Sequence, residues 1–109
     1  MLQLGYILLR LCEQKGAPCT VSVRELERVL ARLWREQRYM VYSNPRDLYQ
    51  DIKLLAHMLG AARPSPRPEV LVLDGEGLEK LRKAVESAGN LVSRELRVRL
   101  EMVILGEGA

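Results

Sequence analysis

A chain of 109 residues is one domain's worth of sequence, enough for one modest core and too short for two. Apolar residues at 48% against 28% charged exclude a disordered chain, and 17 Lys and Arg against 14 Asp and Glu leave a net charge of +3. So mild a basic excess points toward nucleic acid only where it clusters.

No apolar run approaches the ~20 residues that span a bilayer. The N-terminal LQLGYILLRLC is apolar but has neither a basic n-region nor a small-residue cleavage site, so it reads as a core helix rather than a signal peptide. A soluble, cytoplasmic protein is expected. Arginine outnumbers lysine, which suits phosphate and guanine contacts because the guanidinium fork bonds bidentately. A high-GC genome or a thermophile would produce the same bias.

Residues 2–15 read as a helix apolar almost all round, with Leu4, Leu8 and Leu11 on one side and Ile7 and Leu9 beside them. Such a helix is buried on several faces, or carries a dimer contact as well. Lys15-Gly16-Ala17-Pro18 stops it. Cys12, set among leucines, reads as a buried thiol. A bridge to Cys19 is open in a thermophile's cytoplasm, but nothing in the sequence requires it, and two cysteines are too few for zinc. Residues 19–23 are short and β-branched, suited to a first strand.

Ser22-Val23-Arg24-Glu25 fits a capping box, opening a helix that runs to about Gln37. Leu26, Val29, Leu30 and Leu33 face the core. Arg24, Arg28, Arg32, Arg35 and Arg38 fall together on the opposite side, a one-sided stripe flanked by Glu25 and Glu36. A solvated face is the plain alternative. After a linker at 39–43, Asn44-Pro45 supplies an N-cap and a proline at the first helical position, with Asp47 complementing the positive helix end. Leu48, Ile52, Leu55 and Leu59 make its core stripe. Arg46, Gln50, Lys53 and His57 repeat that spacing on the other face, where arginine and lysine can reach guanine, glutamine can pair with adenine, and all can reach phosphate. Asp47 and Asp51 oppose dense phosphate contact unless they lie toward the scaffold.

Gly60 ends this helix, and Arg63-Pro64-Ser65-Pro66-Arg67-Pro68 favours a stiff, extended path with room for a small hairpin tip carrying Arg63 and Arg67. A short apolar strand follows over 70–73. Asp74, Gly75 and Gly77 then turn the chain into a helix with Leu78, Leu81, Val85 and Ala88 on one face, ended or kinked at Gly89-Asn90. The last segment carries both periodicities. Leu96, Val98, Leu100, Met102 and Ile104 alternate as in a strand, while Val92, Leu96, Leu100 and Val103 make a helical seam. Either way it reads as a dimerisation element, with folding back onto the chain's own core as the alternative.

The segments LLAHMLGAAR (54–63) and VLVLDGEGLEKL (70–81), in the order helix, strand, capped helix, capped helix, hairpin, helix, resemble the winged helix-turn-helix family of small prokaryotic, archaeal-like transcription regulators. The resemblance covers about 4–85. It implies a mainly α fold with a small β-hairpin, a winged-helix domain over 1–89, and a C-terminal extension over 90–109 used for dimerisation or core packing. It further implies a third helix in the major groove, a wing on the minor groove or backbone, and a dimerising terminal helix. Carried over, Asn44, Arg46, Gln50, Lys53 and His57 face the groove and Arg63 and Arg67 lie on the wing; the helical stripe of Arg24, Arg28, Arg32 and Arg35 is expected, from its spacing, to neutralise phosphates. Two departures stand out: the long linker before Asn44 and the short, proline-heavy wing.

Signals for catalysis are weak. Asp51-Ile52-Lys53 matches a nuclease fragment but falls on a helix with Ile52 inward. His57, the sole histidine, has no cysteine or acid at metal-ligand spacing and is the one imidazole a serine or cysteine nucleophile could use as base, and GEG at 75–77 lacks the lysine and spacing of a phosphate loop. The expectation is therefore a dimeric, non-enzymatic regulator binding double-stranded DNA, without metal or cofactor, and touching half-sites ~34 Å apart. The alternatives are a protein-binding adaptor using the apolar C-terminal segment with Tyr39, Tyr42 and Tyr49, or a sequence-indifferent architectural DNA binder. Target sequence and effector are not encoded in any motif.

Overall fold

The computed structural model describes residues 2–65, 67–89 and 92–108. Pro66 of the proline-rich connection and Asn90 of the expected helix stop lie outside the described residues. The elements run α1 (Leu2–Lys15), β1 (Cys19–Ser22), α2 (Val23–Gln37), α3 (Pro45–Met58), β2 (Val70–Leu73), α4 (Gly75–Ala88) and α5 (Arg94–Gly108). The fold is mainly helical with a small antiparallel β element. No helix among the described residues is long and apolar enough to cross a membrane.

Local chemistry starts three of the helices. Ser22 Oγ accepts from the Glu25 N–H at 3.3 Å, Asn44 Oδ1 from Arg46 N–H at 2.8 Å, and Asp74 Oδ1 from Gly77 N–H at 2.7 Å. Each satisfies a donor that the first turn would otherwise leave orphaned. The Glu25 carboxylate turns to Lys15 Nζ, tying the start of α2 to the end of α1. Gly60 closes α3 at φ 68°, with Gly60 N–H donating to His57 O and Ala61 N–H to Ala56 O at 2.8 Å. That pair of bonds needs a left-handed residue, which glycine adopts without steric cost.

α1 is the central pillar, in contact with β1, α3, α4 and α5. Leu4 to Leu9, Leu11 and Cys12 are all buried, which accounts for a helix without a polar face over that span. Gly5 lets α3 and α4 approach: a Cβ there would sit 3.2 Å from Leu55 and 3.5 Å from Val85. β1 and β2 pair in register Cys19↔Leu73 to Ser22↔Val70, with Cys19, Val21, Leu71 and Leu73 turned into the core. On the far edge of β2, Arg63 bridges Val72, its N–H donating to Val72 O at 2.8 Å.

One expectation is corrected, and one open alternative is resolved. Cys12 is no free thiol: the turn through Gly16 brings it to a Cα separation of 5.4 Å from Cys19, and the two form a buried disulfide joining α1 to β1. The ambiguous C-terminal segment is a helix, and its seam (Val92, Leu96, Leu100, Val103, with Ile104) is buried against the chain's own α1 and α2. That seam of the segment's apolar surface is thus used within the chain. The outward face of α5 retains Val98, Met102 and Leu105.

Candidate nucleic-acid interface

α3 presents the four expected residues on one face because its opposite stripe is anchored. Leu48, Ile52 and Leu55 are buried with Tyr49 and Ala56, while Arg46, Gln50 and His57 are exposed and Lys53 is half-buried. Asn44 is also exposed, but its side-chain oxygen is committed to the helix cap. Asp51 accepts a hydrogen bond from Tyr42 and so turns toward the linker, away from the polar face. Asp47 stays exposed.

Sequence reasoning missed Leu54 and Met58, which are 53% and 68% exposed on the same helix. At about 100° per residue they lie roughly a quarter turn or more from Arg46, flanking the polar face with apolar surface. The clue was available: with Leu55 and Leu59 assigned to the core, Leu54 and Met58 fall outside the buried stripe.

The segment before β2 lies against the first turns of α3. Buried Tyr49 donates its hydroxyl to Pro68 O at 3.1 Å, and Arg46 Nη1 meets Glu69 Oε1 at 2.8 Å. Burial, reinforced by the Glu69 charge, raises the Tyr49 pKa and keeps the phenol as donor. Arg63 reaches Asp74 across the other end of β2. Asp74 is held below the ordinary carboxyl range first by the Gly77 N–H and then by Arg63. Arg67 remains exposed on the turn, its N–H donating to Ser65 Oγ at 3.2 Å. Glu69 was not among the expected site residues, because a contact 23 positions away leaves no local spacing to read.

The α2 stripe is less uniform than its spacing suggests. Arg24, Arg28 and Arg35 are exposed, but Arg32 is half-buried and forks onto Glu36, which lowers the Glu36 pKa by hydrogen bonding. Arg38 leaves the helix in a left-handed conformation at φ 51°, with its guanidinium 5.8 Å from the Trp34 ring centre. The stripe is also set apart from α3. The α2 face that meets Pro45 and the linker carries Glu27, Leu30, Ala31 and Trp34, lining an open groove of about 250 Å³ with Met40 and Tyr42. The polar face of α3 and the turn before β2, joined by the Arg46–Glu69 and Tyr49–Pro68 contacts, form one patch, and the exposed arginines of α2 belong to a different element.

No family model, curated protein or solved structure matches this chain.

Proposed function

We propose that the protein is a winged-helix DNA-binding regulator that reads the major groove with the exposed face of α3. The observation carrying this reading is the arrangement around β2. It pairs with β1 on one edge, bridges Arg63 on the other, and its leading turn is pinned to α3 through Tyr49 and Pro68. A basic turn held beside a helix with Arg46, Gln50, Lys53 and His57 outward is how a wing accompanies a groove-reading helix.

In this reading Arg46, Gln50 and Lys53 contact base edges, and Leu54 or Met58 can meet a thymine methyl group. Arg67 contacts phosphate directly. Arg46 is held by the exposed Glu69 and Arg63, itself exposed, by the half-buried Asp74; pairs open to solvent are worth about 0–1 kcal/mol, so a phosphate or base can replace them. The arginines of α2, a separate patch, add attraction to the polyanion. A homodimer remains part of the proposal, through Val98, Met102 and Leu105 at helical spacing on α5. That stripe is small beside the ~800 Å² per partner that stable interfaces bury, so its dimer is weak.

Mapping amide perturbations on adding a random-sequence duplex tests the reading. Shifts concentrated in 44–58 and 63–69 are expected; shifts confined to the groove around Trp34, or none at saturating duplex, would contradict it.

A protein-binding adaptor is the second reading, and Trp34, 49% exposed beside Met40 at 62%, is the observation that favours it. Of the three tyrosines considered for that role, Tyr42 lines this groove, whereas Tyr49 is buried and Tyr39 lies beneath Arg99.

A further inference from the structure

β2 is bracketed by two carboxylates, and each holds an arginine of the candidate interface. Glu69, one residue before the strand, pairs with Arg46; Asp74, one residue after it, pairs with Arg63. The two acids differ in their other duties. Asp74 also caps α4 through the Gly77 N–H, so the fold requires it whatever Arg63 does. Glu69 is exposed, lies in a turn, and has its described side-chain contact with Arg46.

We infer that Glu69 is an internal competitor for Arg46: a carboxylate occupying the guanidinium that DNA must take, and so lowering affinity. The inference rests on the DNA-binding reading of α3. The geometry favours competition over support. Arg46 and Glu69 side chains are 70% and 59% exposed, and the contact is a single Nη1–Oε1 bond. A buttress that aims an arginine at a base is fixed by packing around it, whereas this pair is open to solvent on both sides. Any phosphate or guanine oxygen accepting from Arg46 would also sit within reach of the Glu69 charge, and like charges at that distance repel. Before binding, the pair offsets part of the positive field of the patch. On binding, its exchange removes a favourable contact and leaves an acid beside the polyanion.

The test is a double-substitution cycle read by fluorescence anisotropy of a labelled random-sequence duplex at 50 mM salt, with wild type, Glu69→Gln, Arg46→Ala and the double variant. Glu86→Gln, which removes an exposed acid from α4, controls for net charge. Glu69→Gln is expected to tighten binding about two- to fivefold, the range an exposed ion pair can supply, and to exceed the gain from Glu86→Gln. In the Arg46→Ala background the gain should fall to the Glu86→Gln level. A gain equal to that of Glu86→Gln, or one fully retained without Arg46, would overturn the inference while leaving DNA binding intact. Weaker binding by Glu69→Gln with unchanged unfolding would identify a supporting residue and overturn it too. Failure of the wild type to bind at 50 mM salt would overturn the DNA-binding reading itself, and this inference with it.

Discussion

Arg10 of α1 and Glu101 of α5, 91 residues apart, meet as a fork: Nε donates to one carboxylate oxygen and Nη2 to the other at 2.9 Å. The Tyr6 hydroxyl adds a third donor at 3.3 Å, and Arg97 lies over the Tyr6 ring at 5.3 Å. This cluster lies on the helix that carries the buried seam, and it fixes the rotation of α5 against α1. Bidentate pairing is stronger and more directional than a single contact.

The cluster predicts an acid-sensitive clamp. Arg10 holds the Glu101 carboxyl below its ordinary value of 4.5, first by hydrogen bonding and then by charge, against the opposing effect of burial. A lowered folded pKa contributes stability that is present above the ordinary value and lost as pH falls through the lowered one. Glu101→Gln should cost about 1–3 kcal/mol at neutral pH. It should also flatten the acid limb of a stability–pH curve followed by urea unfolding. An unchanged acid limb would show that the pair contributes nothing to linkage.

Gly77 should be intolerant where Gly75 is not. A Cβ at Gly77 would lie 2.0 Å from Ala61 O, a backbone atom that cannot swing aside, whereas at Gly75 the nearest atom is the Ala17 Cβ at 3.9 Å. Gly77→Ala should destabilise by about 1–3 kcal/mol as α4 is forced away from the loop that follows α3. Gly75→Ala should be neutral, or stabilising by up to about 1 kcal/mol. Thermal unfolding of the two variants side by side checks this, and equal melting temperatures would contradict it.

The Cys12–Cys19 bridge closes a loop of sequence separation 7. Constraint of so short a loop in the unfolded chain corresponds to about 2–3 kcal/mol. Replacing both residues by alanine should lower the urea midpoint accordingly. Thiol titration of the purified chain in urea should find no free thiol until reductant is added; two free thiols without it would remove the bridge.

What the sequence made legible is what local chemistry decides. Ser22, Asn44-Pro45 and Asp74 mark helix starts because each cap reaches two or three residues along the chain, and each start lies where those residues put it. The α3 polar face was equally readable, since burying Leu48, Ile52 and Leu55 fixes the rotation of Arg46, Gln50 and His57. Non-local contacts left no such trace. The 92–105 stretch carries both helical and strand periodicity, and the choice falls to helix because one seam packs against α1 and α2 together. The fork of Arg32 onto Glu36 breaks a stripe that spacing alone presents as uniform. The Arg46–Glu69 and Arg63–Asp74 pairs join residues 23 and 11 positions apart, which no local spacing encodes.

Substitutions should separate the two basic patches. Arg46→Ala is expected to cost about 1–3 kcal/mol on a selected site and to relax base preference. Arg35→Ala should weaken all duplexes alike and reduce the salt slope by about one unit. Binding isotherms on selected and scrambled duplexes distinguish these outcomes, and an unchanged slope for Arg35→Ala would remove α2 from the interface.

The measurement that bears most directly on the central claim is anisotropy of a random-sequence duplex titrated with the intact protein at 50 and 200 mM salt. Several phosphate contacts from α3 and the turn before β2, with the attraction of the α2 arginines, would make affinity fall steeply between the two, by about tenfold or more. Binding that is absent at 50 mM, or indifferent to salt, would contradict a phosphate-contacting surface and shift attention to the groove beside Trp34.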